Sequence, residues 1–484
     1  MSEARELPQR IVVAGDGPLG VLAAIALRRA LPRAEVVVVA IPPDPAAFAE
    51  RFGTALPFTN RLHDRLGITE EDLVREAGAS HRLTMRYIGG GAPERHGVAG
   101  YGAAIDPAMT TAFAREWGGG PRNAETGAPP RSLGEALAAA GRFMPPSGAA
   151  DSPLAEVDYA LRWNVPAYRA HLVAIAQQLG VRHERRAIVG LVPDDSGGLA
   201  ALAMADGGEL AADLFLDCTG SGAMLLSKLP GMASIDWGGQ IPSRAVAAGQ
   251  PAPGVLSLED RATWTPLGWR WEIGGRDGRM AVLALAGEAG EPAIRAALGV
   301  PAAAIVAFAP GRAEAPWLGN VVALGDAAAR LEPLGGIAQD LAHRQLALLL
   351  ELLPGRTVDA AERAEFNRRA GLMADRACDW LAAHYAAPAA VARFPNLMCS
   401  PELDRTLDQF GRRGRVPFVE EAPMRVQEFG ALLQALGRPQ GEGPLAAAGE
   451  GPGEEAARAF ESRAAAALGA APPYGEWLQR TLAG

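Results

Sequence analysis

The chain has 484 residues, of which 49% are hydrophobic and 21% charged, and its formal net charge is -9. This composition is typical of a globular protein with a core large enough for about two or three domains, and it gives no reason to expect nucleic acid or a membrane as a partner. Three widely spaced cysteines predict neither a disulfide framework nor a metal site. The polar residues 1–10 predict neither a signal peptide nor a membrane anchor, so we expect a cytoplasmic protein.

The chain opens with a pattern typical of dinucleotide binding. An apolar strand at 10–14 and a helix at 21–30 flank the sequence Gly15-Asp16-Gly17-Pro18-Leu19-Gly20. In this GxGxxG pattern the first glycine permits a tight turn, the second lets a pyrophosphate approach the backbone, and the third lets the helix meet the strand. The cofactor-binding residues predicted here are Gly15, Gly17, Pro18 and Gly20.

The second strand, 35–40, departs from the pattern at its end. An acidic residue that binds the ribose is expected there, and the chain has Ala40 and Ile41 instead. Asp44, two prolines later, is a substitute. The departure leaves the nucleotide affinity open and does not affect the fold.

Capping residues and the spacing of apolar residues predict the helices and strands that follow the second strand. We expect helices at 58–66 and 70–76, the second capped by Thr69, and a strand at 82–87 that begins with Arg82. Residues 89–91 and 118–152 are rich in Gly, Pro and Ala and predict loops around a substrate mouth. A helix within 159–180 then leads to strands near 181–183, 187–192, 199–205 and 210–216.

The last of these strands ends in Asp217-Cys218-Thr219-Gly220. This is a second turn from strand to glycine at which backbone can approach a cofactor, so Asp217 and Gly220 are cofactor-binding candidates. Asp217 is equally well explained as a turn cap.

Two tryptophans stand two residues apart in Gly268-Trp269-Arg270-Trp271-Glu272-Ile273-Gly274. Alternation along a strand places both indoles on one face. They either wall a flat cavity beside a cofactor or pack as ordinary core aromatics.

A third glycine-rich block begins with the apolar strand 320–324. Gly325-Asp326 follows, then the loop Glu332-Pro333-Leu334-Gly335-Gly336-Ile337, and then an apolar helix to about 353. FAD-dependent monooxygenases use this arrangement, in which the carboxylate reaches the ribityl hydroxyls and the helix N-terminus faces the flavin. The cofactor-binding residues predicted here are Gly325, Asp326, Leu334, Gly335, Gly336 and Ile337.

With these blocks in this order, the chain resembles the flavin-dependent tryptophan halogenases. Its GWRWEIG segment is similar to the family's GWxWxIP, with Gly274 in place of the proline. The resemblance implies an α/β, glutathione-reductase-type (Rossmann-like) FAD-binding fold. Its FAD-binding core would span 1–353, with substrate-binding sheet and loops interleaved mainly at 80–180 and 230–310, and a helical C-terminal region at 354–484 would contain a flexible stretch at 437–455.

The resemblance also implies partners. FAD would act as FADH2 supplied by a separate flavin reductase, the use of halide is left open, and the substrate would be a small molecule. His96 and Tyr101 lie near the place where the family sandwiches its substrate between aromatic residues. Homo-oligomerisation is left open.

The two catalytic positions of the family differ in this chain. Arg82 stands where the family has its active-site lysine, and Gly335 stands where it has the catalytic glutamate. A guanidinium stays protonated at physiological pH, so Arg82 cannot act as the family's nucleophilic amine. It either clamps an anionic substrate or forms a structural salt bridge.

Two other residues are weaker candidates for the missing chemistry. Glu332 is an acid/base candidate or a helix cap. Lys228, the only lysine, is predicted at a surface helix end and is not expected to replace the family lysine.

We therefore predict FADH2- and oxygen-dependent oxidative modification, of the monooxygenase type, of an aromatic or indole-like small molecule. Three alternatives remain: an active halogenase that uses a non-standard residue, a flavin oxidase or dehydrogenase, and a non-catalytic flavin- or partner-binding relative.

Overall fold

The computed structural model describes residues 6–92, 96–102, 130–149, 151–441 and 453–483. They group into two compact units. The first unit is Met1–Gly78, Trp163–Gly238 and Val306–Cys378, and the second is Ala79–Arg162, Gly239–Ile305 and Asp379–Gly484. No helix in the described ranges is long and apolar enough to cross a membrane.

The strands of the described residues follow in chain order. They are β1 Arg10–Ala14, β2 Glu35–Val39, β3 Ser80–Arg82, β4 Thr84–Ile88, β5 His96–Gly100, β6 Ala160–Arg162, β7 Arg182–Glu184, β8 Ile188–Pro193, β9 Leu199–Met204, β10 Glu209–Ala211, β11 Leu214–Asp217, β12 Ser234–Asp236, β13 Ala245–Gly249, β14 Glu259–Thr265, β15 Gly268–Gly275, β16 Gly278–Leu285, β17 Ala302–Ala307, β18 Gly311–Ala313, β19 Trp317–Leu318, β20 Val321–Ala323 and β21 Ala329–Arg330.

The α-helices of the described residues are numbered in the same way. They are α1 Pro18–Ala30, α2 Phe48–Arg51, α3 Phe58–Arg65, α4 Glu70–Glu76, α5 Leu133–Ala139, α6 Val165–Gln178, α7 Glu291–Leu298, α8 Ile337–Glu351, α9 Ala360–Tyr385, α10 Pro388–Arg393, α11 Pro401–Arg413, α12 Val426–Ala435, α13 Gly453–Ala470 and α14 Tyr474–Ala483. Short 3-10 turns cover Leu226–Lys228, Gly325–Ala327 and Leu334–Gly336.

The first unit is built on a six-stranded sheet in the order β19-β20-β11-β1-β2-β7. All its neighbouring strands are parallel except β19 and β20. The apolar runs of β1 and β2 are buried along almost their whole length, as expected of parallel strands covered on both faces. The carboxyl ends of β1, β2, β11 and β20 therefore lie at one edge, which is where ligands bind in such sheets.

The second unit is built on a seven-stranded sheet in the order β17-β13-β16-β15-β14-β4-β5. The pairs β13–β16, β16–β15, β15–β14 and β4–β5 are antiparallel, whereas β14 and β4 are parallel. A small apolar core joins α5 to the final helices through residues such as Leu137, Phe143 and Phe460. The α/β fold with an interleaved sheet and helical C-terminal part is confirmed.

Four sequence-based boundaries were wrong. Helix α1 begins at Pro18 and not at 21, since proline fits the first helical position. The strand predicted at 82–87 is two strands in different sheets, because the chain turns where Leu83 donates its N–H to Leu258 O at 2.8 Å.

The strand predicted at 210–216 is also divided, into β10 and β11, where Asp213 donates its N–H to Arg10 O at 3.0 Å. The loop predicted at 118–152 contains α5, whose cap is the hydroxyl of Ser132 accepting from Glu135 N at 3.1 Å. Residues 118–129 and 150 of that loop and 442–452 of the predicted flexible stretch lie outside the described residues.

Candidate functional site

The GxGxxG turn of the first unit is a close-packed backbone cradle. Gly15 has a φ of +112°, and a Cβ there would collide with the carbonyl oxygen of Cys218. A Cβ at Gly20 would collide with Gly15 O. Side chains are therefore excluded at both positions, and the N-terminus of α1 faces the edge of the sheet with Pro18 in its first turn.

A cavity of about 590 Å³ lies over this cradle, within the first unit. It brings together the predicted GxGxxG residues, the glycine turn after β11 and the segment after β2. Its lining residues are Gly15, Asp16, Gly17, Pro18, Ile41, Pro42, Pro43, Asp44, Ala47, Glu50, Arg51, Val165, Pro166, Arg169, Cys218, Thr219 and Gly220. Glu50, Arg51 and Arg169 were not predicted from the sequence, since no local pattern places them at the turn.

Asp44, the proposed substitute for the missing ribose acid, is held by backbone contacts. Its Oδ2 accepts from Ser221 N at 2.6 Å and from Ser221 Oγ at 2.7 Å, and its Oδ1 accepts from Ala46 N at 2.8 Å. The carboxylate lies against Gly220, at which a Cβ would collide with it. These contacts place Asp44 on the cavity wall, and its role as ribose acid stays a prediction.

Asp217 is enclosed by its own turn. Its Oδ1 accepts from the N–H and hydroxyl of Thr219, and its Oδ2 accepts from Leu225 N and Leu226 N, both at 2.8 Å. The side chain is fully buried. These four bonds favour the turn-cap alternative for Asp217 over direct contact with a cofactor.

Asp326 differs from Asp217, because only one of its two carboxylate oxygens is hydrogen-bonded among the described residues. Its Oδ2 accepts from Ala49 N at 2.8 Å, whereas its Oδ1 is buried without a hydrogen-bond partner among the described residues. Burial raises the pKa of this carboxyl well above its ordinary value. A buried acceptor of this kind calls for a donor, and the ribityl hydroxyls of FAD are donors, so the residue fits the cofactor that the resemblance implies.

The loop before α8 is shaped by two left-handed glycines. Gly335 and Gly336 have φ values of +67° and +82°, and α8 begins at Ile337 with no side-chain cap. Ile337 donates its N–H to Leu334 O, and no side chain caps the start of α8. Leu334 and Glu332 are buried in this loop. The acid/base role of Glu332 stays a prediction.

Replacing Gly336 with alanine should destabilise the protein by about 1–3 kcal/mol, because φ is positive and the new Cβ would meet Thr54 O. The melting temperature should fall accordingly. Gly411→Ala is the matched control: a Cβ there meets nothing within 4 Å, and alanine in a helix interior should stabilise slightly. An unchanged melting temperature for Gly336→Ala would show that the loop does not need this backbone conformation.

The second unit contains a buried ion cluster around Asp260. Arg82 donates from Nη1 to Asp260 Oδ2 at 2.9 Å, and Arg162 Nη1 lies 3.3 Å from Asp260 Oδ1. Arg82 and Asp260 are fully buried, and Arg162 is 2% exposed. Burial lowers the pKa of the Arg162 guanidinium, and Asp260 partly offsets this effect. These contacts favour the structural salt bridge over the substrate clamp for Arg82.

Gly274 belongs to the same cluster. Its N–H faces Asp260 Oδ1 at 3.3 Å. A proline, which the resemblance places at this position, has no N–H to donate. Sequence reasoning missed Asp260 and Arg162. The only signal was an acidic residue at an inward-facing position of β14, where Ala262 is also buried.

The tryptophan pair lies as the alternation predicted. Trp269 and Trp271 are each 1% exposed and occupy one face of β15. The ring of Trp269 packs edge-on against Tyr87, Trp264 and His384, and its Nε1 donates to His384 O at 3.2 Å. Contacts on so many sides are those of a core aromatic, and a role as cofactor wall stays a prediction.

The other candidates are dispersed. Tyr101 lies in the Asp260 cluster, with its ring 5.7 Å from Arg82 Cζ, and burial raises its pKa to about 12. His96 is partly exposed at the start of β5, five residues away along the chain. Lys228 is exposed at the end of a 3-10 turn, as predicted.

A parallel sheet with a glycine cradle at a helix N-terminus, and a buried aspartate with one oxygen that lacks a partner among the described residues, are features expected of the FAD-binding part of a flavoprotein. The family is shown by comparison with known proteins: the family model described as "Tryptophan halogenase" matches residues 10–450. The chain belongs to this family of flavin-dependent oxidoreductases.

Individual relatives are distant but span most of the chain. The chain is 24% identical over 422 residues to tryptophan 7-halogenase RebH of Lentzea aerocolonigenes, covering 78% of this chain and 76% of the relative. It is 28% identical over 409 residues to tryptophan 7-halogenase KtzQ of a Kutzneria species, covering 78% and 75%.

Solved structures confirm the fold. BrvH, a flavin-dependent halogenase from Brevundimonas, superposes with a TM-score of 0.84 at 23% identity, covering 98% of this chain and 99% of that chain. Tryptophan 6-halogenase SttH from Streptomyces toxytricini gives 0.82 at 20% identity, covering 98% and 99%. At these identities the likeness concerns the fold alone.

Proposed function

We propose that the protein uses FADH2 and oxygen to transfer an oxygen atom to an aromatic or indole-like small molecule, without lysine-directed halogenation. The observation that carries this proposal is the state of Arg82. It stands at the position of the family lysine as a buried guanidinium paired with Asp260, and it cannot lose its proton to become a nucleophilic amine.

The residues of the first unit suit the binding and orientation of the cofactor. The N-terminus of α1 and the cradle at Gly15 and Gly17 would receive the pyrophosphate, and Asp326 Oδ1 would accept from a ribityl hydroxyl. Gly335 and Gly336 would let the loop before α8 approach the flavin without a side chain. When bound and reduced, FAD supplies the activation of oxygen, and a separate flavin reductase would supply FADH2.

The loop supports the same proposal from a second direction. Where the resemblance places the family glutamate, Gly335 offers no side chain to take a proton from the substrate. The backbone amides of the loop are compatible with a halide, but nothing in the side chains requires one. We therefore expect halide to be dispensable.

The test is a turnover experiment with a flavin reductase, NADH, a panel of indoles and phenols, and labelled oxygen gas, with and without chloride or bromide. We expect one labelled oxygen atom in the product, independent of halide, by mass spectrometry. A halogenated product would establish the active-halogenase alternative. An oxidised product without label would establish an oxidase or dehydrogenase.

The remaining alternative, a non-catalytic relative, is tested by cofactor binding. Purified protein is expected to quench flavin fluorescence on titration with FAD. Absence of binding, together with absence of turnover in a parallel reaction containing a known halogenase as the positive control, would remove every enzymatic interpretation.

A further inference from the structure

Glu50 of α2 has its carboxylate at the N-terminus of α1. Its Oε1 accepts from Leu19 N at 2.6 Å. A Cβ built on Gly17 would collide with both carboxylate oxygens, so the group lies directly over the second glycine of the GxGxxG turn. Helix α1 has no side-chain cap from Gly17 and no acidic residue in its own first turn. The anion at the N-terminus of α1 is therefore the Glu50 carboxylate, which belongs to α2.

In the GxGxxG pattern, this position is the binding site of the pyrophosphate. The second glycine lets the pyrophosphate approach the backbone, and the first amides and the dipole of the helix attract its charge. The Glu50 carboxylate makes the same kind of contact with the same groups. Both observations, the bond to Leu19 and the position over Gly17, concern atoms of the first unit, and Gly17 and Glu50 line the same cavity.

The charges around Glu50 do not favour a second anion there. Asp16 and Asp44 line the same cavity as Glu50, and Asp326 and the Cys218 thiol lie close enough to interact with its charge. Arg169 is the cation that acts on Glu50. It also binds Asp16: its Nε donates to Asp16 O at 2.6 Å, and its Nη2 donates to the Asp16 carboxylate. Arg51, on the same cavity wall, donates to Pro45 O at 3.0 Å.

We propose that Glu50 is an internal anion that competes with the pyrophosphate of FAD for the N-terminus of α1. Binding of the cofactor then requires Glu50 to become neutral or to withdraw. The inference rests on the proposed FAD-binding function. It adds that the ionisation of Glu50 sets the affinity for FAD.

The sign of the pH dependence follows. Burial, with Asp16 adding to it, raises the pKa of Glu50 to about 7. A bound pyrophosphate favours the protonated carboxyl further, so binding above that pKa is coupled to proton uptake. The affinity for FAD should then be constant at acidic pH and fall by up to about tenfold per pH unit above about 7.

The experiment titrates wild type, Glu50→Gln and Glu71→Gln with FAD at pH 6, 7 and 8.5, reading flavin fluorescence. Glutamine keeps an acceptor oxygen for Leu19 N and removes the charge. Glu71, exposed on α4, is the matched control. We expect Glu50→Gln to bind about tenfold or more tightly than wild type at pH 8.5 and to lose the pH dependence, whereas Glu71→Gln follows wild type.

Other outcomes overturn the inference in distinguishable ways. Equal affinities and equal pH slopes in wild type and Glu50→Gln would show that Glu50 does not compete. Weaker binding by Glu50→Gln at every pH would make Glu50 a ligand of FAD. Absence of FAD binding in all variants at all pH values would overturn the proposed function and this inference together. Glu50→Ala, tested in parallel with far-ultraviolet circular dichroism, serves if the glutamine variant does not fold.

Discussion

Asp260→Asn should lower the stability of the protein by about 3–5 kcal/mol. The substitution removes a carboxylate that contacts two buried guanidiniums, Arg82 at 2.9 Å and Arg162 at 3.3 Å. The asparagine amide can accept a hydrogen bond from one of them but brings no negative charge. Two cations would remain close together out of water. We expect a clear decrease in the midpoint of urea-induced unfolding, measured by tryptophan fluorescence.

Asp408→Asn is the matched control for this prediction. Asp408 is also paired with an arginine, Arg412, at 2.8 Å, but both side chains are more than half exposed. Its removal should cost at most about 1 kcal/mol, as for surface ion pairs generally. If the two variants have the same urea midpoint, the Asp260 cluster does not stabilise the second unit. The substrate-clamp alternative for Arg82 would then be favoured.

Asp326→Ala should weaken FAD binding by about tenfold to hundredfold, the loss expected for a hydrogen bond to a charged or strongly polar buried group. In the protein without ligand, Oδ2 of Asp326 is satisfied by Ala49 N and Oδ1 has no partner among the described residues. The unsatisfied oxygen is therefore the one that cofactor binding would use. Flavin fluorescence titration at pH 6, where Glu50 is expected to be neutral, measures the change.

Two variants separate the cofactor contact from a structural effect. Asp326→Asn can keep the bond to Ala49 N and should lose less affinity than alanine. Asp236→Asn, at an exposed position of β12 in the same unit, should leave the affinity unchanged. A normal FAD affinity in Asp326→Ala with an unchanged melting temperature would mean that the cofactor does not contact this carboxylate.

The sequence predicted those parts of the site that depend on neighbouring residues. The glycines of the first turn were recognisable because a tight turn between a strand and a helix excludes side chains locally. The tryptophan pair was placed correctly on one face of β15 because alternation is a property of the strand itself. Where it failed, as for the strand at 82–87, the cause was a contact with Leu258, far away in the chain.

Roles that depend on a partner could not be predicted in this way. The sequence left Asp217 as turn cap or cofactor ligand, and the four hydrogen bonds within its turn favour the cap. It left Arg82 as clamp or structural ion pair, and a carboxylate 178 residues later in the chain favours the ion pair. Glu50 carried no signal at all.

The sequence by itself therefore determined the family and the FAD-binding fold, because residue identity and local backbone geometry are sufficient for these, and the absence of the family's lysine and glutamate stays a prediction. Tertiary structure decided which charges meet. Asp260 reaches two arginines and Glu50 reaches the α1 amides only after the chain has folded, since ion pairs and helix caps between distant segments leave no periodic trace in the sequence.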